Sequence, residues 1–201
     1  MSKIKSKGIY KLVLISMFIA IMLVMNFTPL GYITVTGAFS ITLMTIPVAL
    51  GATCTGMSGG AILGFVFGLT SFLQAFGIGF MIDPSAAPLF NENPLGYTVT
   101  CFVPRILTGL VAGFVFWLFE RKGKTNLLAF SLSSAVVPVL NTALFMSSYI
   151  LFYSNTSFGG VVMNVLLTIL TINFLVEFLV TILVGTSISK VIYKYVKKLR
   201  V

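Results

Sequence analysis

Met57–Phe76 reads MSGGAILGFVFGLTSFLQAF and carries no ionisable side chain. One helix needs about 20 apolar residues to cross a bilayer. Gly60, Gly64 and Gly68 recur every fourth position, with Ala61 beside them. Small residues at that spacing let helix backbones approach closely in lipid, where dispersion and weak polar contacts drive association. The stretch is therefore expected to be a membrane helix packed tightly against a neighbour. Gly109 and Gly113 repeat the pattern in a later segment. This spacing indicates a compact bundle and carries no information about a substrate.

The rest of the chain has the same character. Of its 201 residues 58% are hydrophobic and 8% charged, with a mean hydropathy of +1.08. A soluble domain carries roughly 25% charged residues, so this chain cannot cover its own surface with polar groups in water. Six apolar segments separate at Pro, Gly and charge clusters, at about 10–27, 38–55, 57–76, 99–120, 126–153 and 161–190. The expected fold is all-α, a single domain over 1–201 of six transmembrane helices, with no room for a second, soluble domain. The first segment, preceded by Lys3, Lys5, Lys7 and Lys11, resembles a signal peptide but lacks a small-residue cleavage site. It is read as the first membrane helix.

The formal charge of +9 sits at the ends of apolar runs rather than on one exposed face. It is read as a topology signal, since Lys and Arg gather on the cytoplasmic side, and not as a nucleic-acid surface. With both termini cytoplasmic, every basic residue except Arg105 falls inside. The outer loop 77–98 carries Asp83 and Glu92 instead. An odd number of spans breaks this pattern.

Several chemistries are missing. With no His and no close-spaced cysteine motif, the chain offers no His-based acid–base catalysis and no ordinary zinc site. Cys54 and Cys101 are read as small core residues, and no metal or cofactor is expected. Gly123-Lys124-Thr125 fails as a phosphate-binding loop because Leu118 stands where a Gly is required. No paired carboxylates or nucleophile sets point to an enzyme.

Two ionisable residues lie well inside the segments, Arg105 and Glu177. A charge at membrane depth costs several kcal/mol unless it faces a cavity or a partner, so each is a functional candidate. Arg105, just after Pro104, is read as a first-turn position near the outer end of the fourth helix. Its guanidinium suits an anionic ligand, since it forks onto carboxylates. The alternatives are a structural pair with Glu177 or snorkelling to the interface. For Glu177, on one face with Asn173, structural pairing leads over proton carriage.

Polar side chains elsewhere converge on the outer half. The sixth segment carries Asn164, Thr168 and Thr171. The fifth carries Ser134, Asn141 and Ser148 at intervals of seven, interleaved with Pro138 and Phe145. The second offers Thr42 and Thr45 before Pro47. An apolar pocket with a few fixed polar groups is what a small-molecule site requires. The loops 28–37 and 77–98 are candidate lids. Ser16 and Ala20 form one more small pair, on the first helix, suited to internal packing or to docking another membrane subunit.

A family resemblance follows from five strings in order: TPLGYI at Thr28–Ile33, TIPVALGA at Thr45–Ala52, GGAILGFVFGLTS at Gly59–Ser71, PRILTGLVAG at Pro104–Gly113 and LNT at Leu140–Thr142. Together they resemble the substrate-binding S components of energy-coupling factor (ECF) transporters, most closely the pantothenate-type branch. The resemblance implies a six-helix bundle in the cell membrane that captures a water-soluble vitamin from outside. It also implies partners, a transmembrane coupling subunit and two ATPase subunits, whose ATP hydrolysis drives uptake. Small residues on the first helix dock such subunits in the family, and Ser16-x-x-x-Ala20 matches by position. Thr45 stands where members often have His. The expected substrate-binding set is Arg105, Asn141, Asn164, Thr45, Thr168 and Ser148, with pantothenate as ligand. Pyridoxine or riboflavin are alternatives, as is a stand-alone proton-coupled transporter using Glu177.

Overall fold

The computed structural model describes the backbone of residues 2–36, 39–80, 82, 85–123, 127–154 and 157–199, and the side chains of 8–32, 42–80, 82, 85–123, 127–154 and 174–195. The chain is predominantly helical: α1 (Ser2–Asn26), β1 (Tyr32–Thr36), β2 (Phe39–Thr42), α2 (Thr45–Leu73), α3 (Ala86–Glu92), α4 (Pro94–Arg121), α5 (Leu127–Tyr153) and α6 (Ser157–Leu199). Among the described residues five stretches are long and apolar enough to cross a membrane: Gly8–Asn26, Thr45–Phe76, Pro94–Arg121, Leu127–Tyr153 and Phe174–Tyr195. Their outward side chains are apolar, with Leu12, Val24, Leu151 and Leu183 all more than 60% exposed. Hydrocarbon is the solvent that accepts such a surface.

Six expected segments become five stretches because the second and third share α2. Gly56 breaks that helix with φ 78° and ψ −170°, a left-handed backbone that glycine adopts without a Cβ penalty. The chain folds back there. A Cβ on Gly51 would overlap the Leu63 side chain, and one on Gly60 would lie 3.0 Å from the Ala52 methyl. Residues eight to twelve apart along a straight helix do not meet, so arms 45–55 and 57–73 lie antiparallel.

The glycine stripe makes the tightest crossing. A Cβ at Gly60 would overlap the Gly109 carbonyl, one at Gly64 the Arg105 carbonyl, and one at Gly68 would stand 2.8 Å from the Cys101 carbonyl. The pairs 60–109, 64–105 and 68–101 advance by one turn each, so the arm 57–73 runs antiparallel to α4 along its length. The arm 45–55 runs parallel to α6. Thr45 meets Thr181 at 3.0 Å and Thr53 donates to Ser189 at 2.9 Å. Between them a Cβ on Gly185 would lie 3.7 Å from the Ala49 methyl. The core enclosed by these contacts runs through Phe18, Met22, Met44, Val48, Leu63, Phe67 and Val137. Both cysteines are buried.

Three expectations are corrected. Residues 39–42 are strand rather than the start of the second helix, and pair with β1 in the register Tyr32–Thr42, Ile33–Ile41 and Thr34–Ser40. The alternating β-branched and aromatic residues of YITVT and FSIT favour a pleated ribbon. Thr42 belongs to that ribbon, and α2 starts at Thr45. The fourth helix begins at Pro94, whose missing N–H suits a first position, with the Asn93 side chain capping it by accepting from the Gly96 amide at 2.8 Å. Arg105 therefore lies three turns in, and Pro104 is an interior proline instead of a helix start. The last helix reaches Leu199 instead of ending near residue 190.

Candidate binding site

The site grows from the arm-to-helix crossing. Because Gly64 lies against the Arg105 backbone, the Arg105 side chain is held at a fixed depth beside that arm. It is 9% exposed, and its Nη1 donates back to the Thr100 carbonyl. The guanidinium carbon sits 4.8 Å from the centroid of the Phe145 ring and 5.5 Å from that of Phe67. Aromatic faces attract a cation, by ~2 kcal/mol when both are desolvated. They supply no acceptor, and Nε has no partner among the described residues.

Glu177 completes the centre from α6. It is 5% exposed, lies within range of the Arg105 charge, and has the Thr45 hydroxyl beside its carboxyl. Thr45 in turn contacts Thr181, one turn along from Glu177. Glu177 Oε1 has no partner, and among the described residues no ion pair joins it to Arg105. The expectation of a structural pair between these two is not met in the described contacts.

Asn141 lies one turn from Phe145 on α5, where residues four apart share a face. It is 7% exposed and its Oδ1 is unpartnered. Ser148 belongs to the same sequence stripe but donates to the Leu144 carbonyl at 2.9 Å, so its hydroxyl proton is already used by its own helix. Asn164, Thr168, Thr171 and Asn173 lie on α6, and their side chains fall outside the described residues.

Phe145 belongs to the sequence stripe on α5; the other contributors were not singled out from sequence. Phe67 and Phe145 flank the guanidinium. Thr100 supplies a carbonyl, and its buried Oγ1 is unpartnered. Tyr32, at the base of the hairpin, reaches Ser71 at 3.2 Å and Thr70 at 3.3 Å, which pins β1 over this end of the bundle. Tyr97 bonds the Ser71 carbonyl at 3.0 Å on the same level. In sequence, Tyr32 within TPLGYI was the available signal.

Arg105 and Glu177, with Thr45 beside the carboxyl, thus lie within range of each other in the buried interior, and Asn141 sits one turn along α5 from the ring that contacts the guanidinium; several of their polar atoms lack partners among the described residues. Such atoms cost ~1–3 kcal/mol each when left unpaired, and a bound polar molecule removes that cost. A separate cavity of about 360 Å³ opens at the opposite end of the bundle, between Lys11, Gly56, Trp117 and Glu120. None of the expected substrate-binding residues lines it. Ser16 and Ala20 are exposed, on the side of α1 away from the buried Ile15, Phe18 and Met22.

The family profile described as "ECF transporter, substrate-specific component" matches residues 10–196. The chain is 31% identical over 151 residues to the pantothenic acid transporter PanT of Lactococcus lactis subsp. cremoris, covering 71% of this chain and 74% of that protein. It is 32% identical over 138 residues to the pantothenate transporter PanT of Leuconostoc mesenteroides subsp. mesenteroides, covering 65% and 63% respectively.

Proposed function

The chain belongs to the ECF transporter substrate-specific component family, and on that premise we propose that it captures pantothenate for ATP-driven uptake. The observation that carries this reading is the buried Arg105 guanidinium, which has aromatic neighbours, one backbone acceptor and an unpartnered Nε. A ligand carboxylate satisfies the fork. The hydroxyls and amide of pantothenate then match Asn141, Thr45 and, on α6, Asn164 and Thr168. Ser148, which bonds its own helix, takes a secondary part as an acceptor. Two relatives named for pantothenate support the substrate. Neutral pyridoxine leaves Arg105 without a counter-charge.

The protein is a multi-pass membrane protein. In this reading it has six spans, with the arms 45–55 and 57–73 as the second and third, and both termini in the cytoplasm. The arm 45–55 is about 16 Å long at 1.5 Å per residue, short of a ~30 Å hydrocarbon core. The β-hairpin completes that crossing and caps the site. The chain performs capture and no bond-making chemistry, so the energy comes from a coupling subunit and two ATPase subunits. Uptake of labelled pantothenate by cells or proteoliposomes containing all four polypeptides should depend on ATP and disappear when the ATPase subunits are omitted. Uptake by this chain alone, driven by a proton gradient, would overturn the reading.

The exposed Ser16 and Ala20 supply the docking face. Ser16→Trp or Ala20→Trp should prevent co-purification with the coupling subunit while leaving pantothenate binding unchanged. An intact complex with either variant places docking elsewhere.

A further inference from the structure

We infer that Glu177 is a specificity-determining residue that reads hydrogen-bond donors on the ligand and so rejects plain carboxylic acids. The inference rests on the reading of Arg105 as the carboxylate anchor. An anchor of that kind, on its own, does not discriminate: a guanidinium between two phenyl rings accepts the carboxylate of any aliphatic acid, and its apolar surroundings welcome the aliphatic tail. Fatty acids present that combination wherever there is membrane. Specificity therefore needs a second group that a plain acid leaves unsatisfied.

Glu177 has the required properties. Its side chain is 5% exposed, and Oε1 has no partner among the described residues. The Thr45 hydroxyl lies beside the carboxyl and is itself bonded to Thr181 at 3.0 Å, on the same helix as Glu177. The carboxyl is thus positioned from two elements, which leaves one oxygen free to accept. A carboxyl group carries acceptor lone pairs whether or not it holds a proton, so a natural complement of the unpartnered Oε1 is a hydroxyl or an amide N–H. The ligand class is a carboxylic acid whose chain carries such donors a few bonds from the acid group. A hydroxyl-free chain places methylene groups against Oε1 and leaves a buried acceptor unpaired, an arrangement that rejects analogues far more strongly than a missing methyl does.

The test compares dissociation constants within each variant, so that loss of folded protein cancels. Wild type, Glu177→Met and Glu177→Gln are titrated with pantothenate and with its analogue in which both hydroxyls are replaced by hydrogen. Wild type should bind the dideoxy analogue at least ~100-fold more weakly. Glu177→Met, similar in length and without an acceptor, should narrow that ratio to below ~10-fold, chiefly by losing affinity for pantothenate. Glu177→Gln keeps an acceptor oxygen and should retain most of the ratio. If Glu177→Met weakens both ligands equally and preserves the ratio, Glu177 is structural and the inference is wrong. The same holds if wild type does not discriminate at all. If wild type binds neither ligand, the Arg105 reading fails with it, a result distinct from either of those.

Discussion

Arg105→Ala should weaken pantothenate binding by at least ~100-fold in calorimetric titration of the purified subunit. Charge-assisted, forked hydrogen bonds to a carboxylate are about twice as strong as neutral ones, and truncating one partner of such a buried pair costs ~2–5 kcal/mol. The fold should survive. Among the described residues Arg105 donates to the Thr100 carbonyl, contacts two rings and lies within charge range of Glu177 and Tyr32, and its removal takes an expensive charge out of the bundle. Arg105→Lys should recover part of the loss, because an ammonium keeps the charge without the planar fork. Unchanged affinity in Arg105→Ala would take this residue out of the site.

The second large effect is structural. Gly64→Leu should abolish recovery of folded, monodisperse protein. The first added carbon already overlaps the Arg105 carbonyl and lies 3.0 Å from the Ile106 Cα. Backbone, unlike a side-chain tip, cannot rotate aside, so the arm and α4 must separate. Overpacking alone costs ~1–3 kcal/mol; here it also parts contacts from Gly60 to Gly68. Gly8→Leu is the control, because nothing lies within 4 Å of a Cβ there, and its thermal unfolding should match wild type. Equal stability of Gly64→Leu would contradict the close crossing. Gly64 also links fold to site, since the carbonyl it touches belongs to Arg105. A milder Gly64→Ala variant that still folds should therefore lower ligand affinity as well.

What was legible in the sequence follows from which forces are local. Lipid-facing helices must satisfy their backbone internally, so apolar length located the segments well. The glycine interval likewise foretold a close helix crossing, but not that α4 is the helix met. The hairpin was missed because YITVT falls in the stretch read as the loop 28–37 and FSIT at the start of the apolar run that follows, and their alternation spans too few residues to mark a strand. Arg105 was set too near a helix end because Pro104 was taken as a start. Asn93 and Pro94 carry the stronger signal, a capping side chain followed by a ring that needs no donor.

The site itself was less legible. Arg105 and Asn141 stand out by the cost of burying them, a property of the residue alone. Glu177 stands out equally, but its relation to Thr45 and Thr181 depends on the parallel packing of α6 with the arm 45–55, which no short-range pattern encodes. Ser148 shows the reverse. Its spacing matches the stripe, yet a serine in an apolar helix finds its nearest acceptor one turn back, and the Leu144 carbonyl takes its proton. Phe145 was legible only as a member of the α5 stripe, and Phe67 carried no signal beyond its apolar helix; what joins them is the guanidinium that both rings contact.

The account holds that a buried guanidinium waits for an anion, and the most direct measurement compares pantothenate with its neutral alcohol, in which CH₂OH replaces the carboxylate. Calorimetry on the purified wild-type subunit should give nanomolar-class binding of pantothenate and at least ~100-fold weaker binding of the alcohol. Equal affinity for the two would mean that no charge is recognised there, and the site would have to be rebuilt without Arg105.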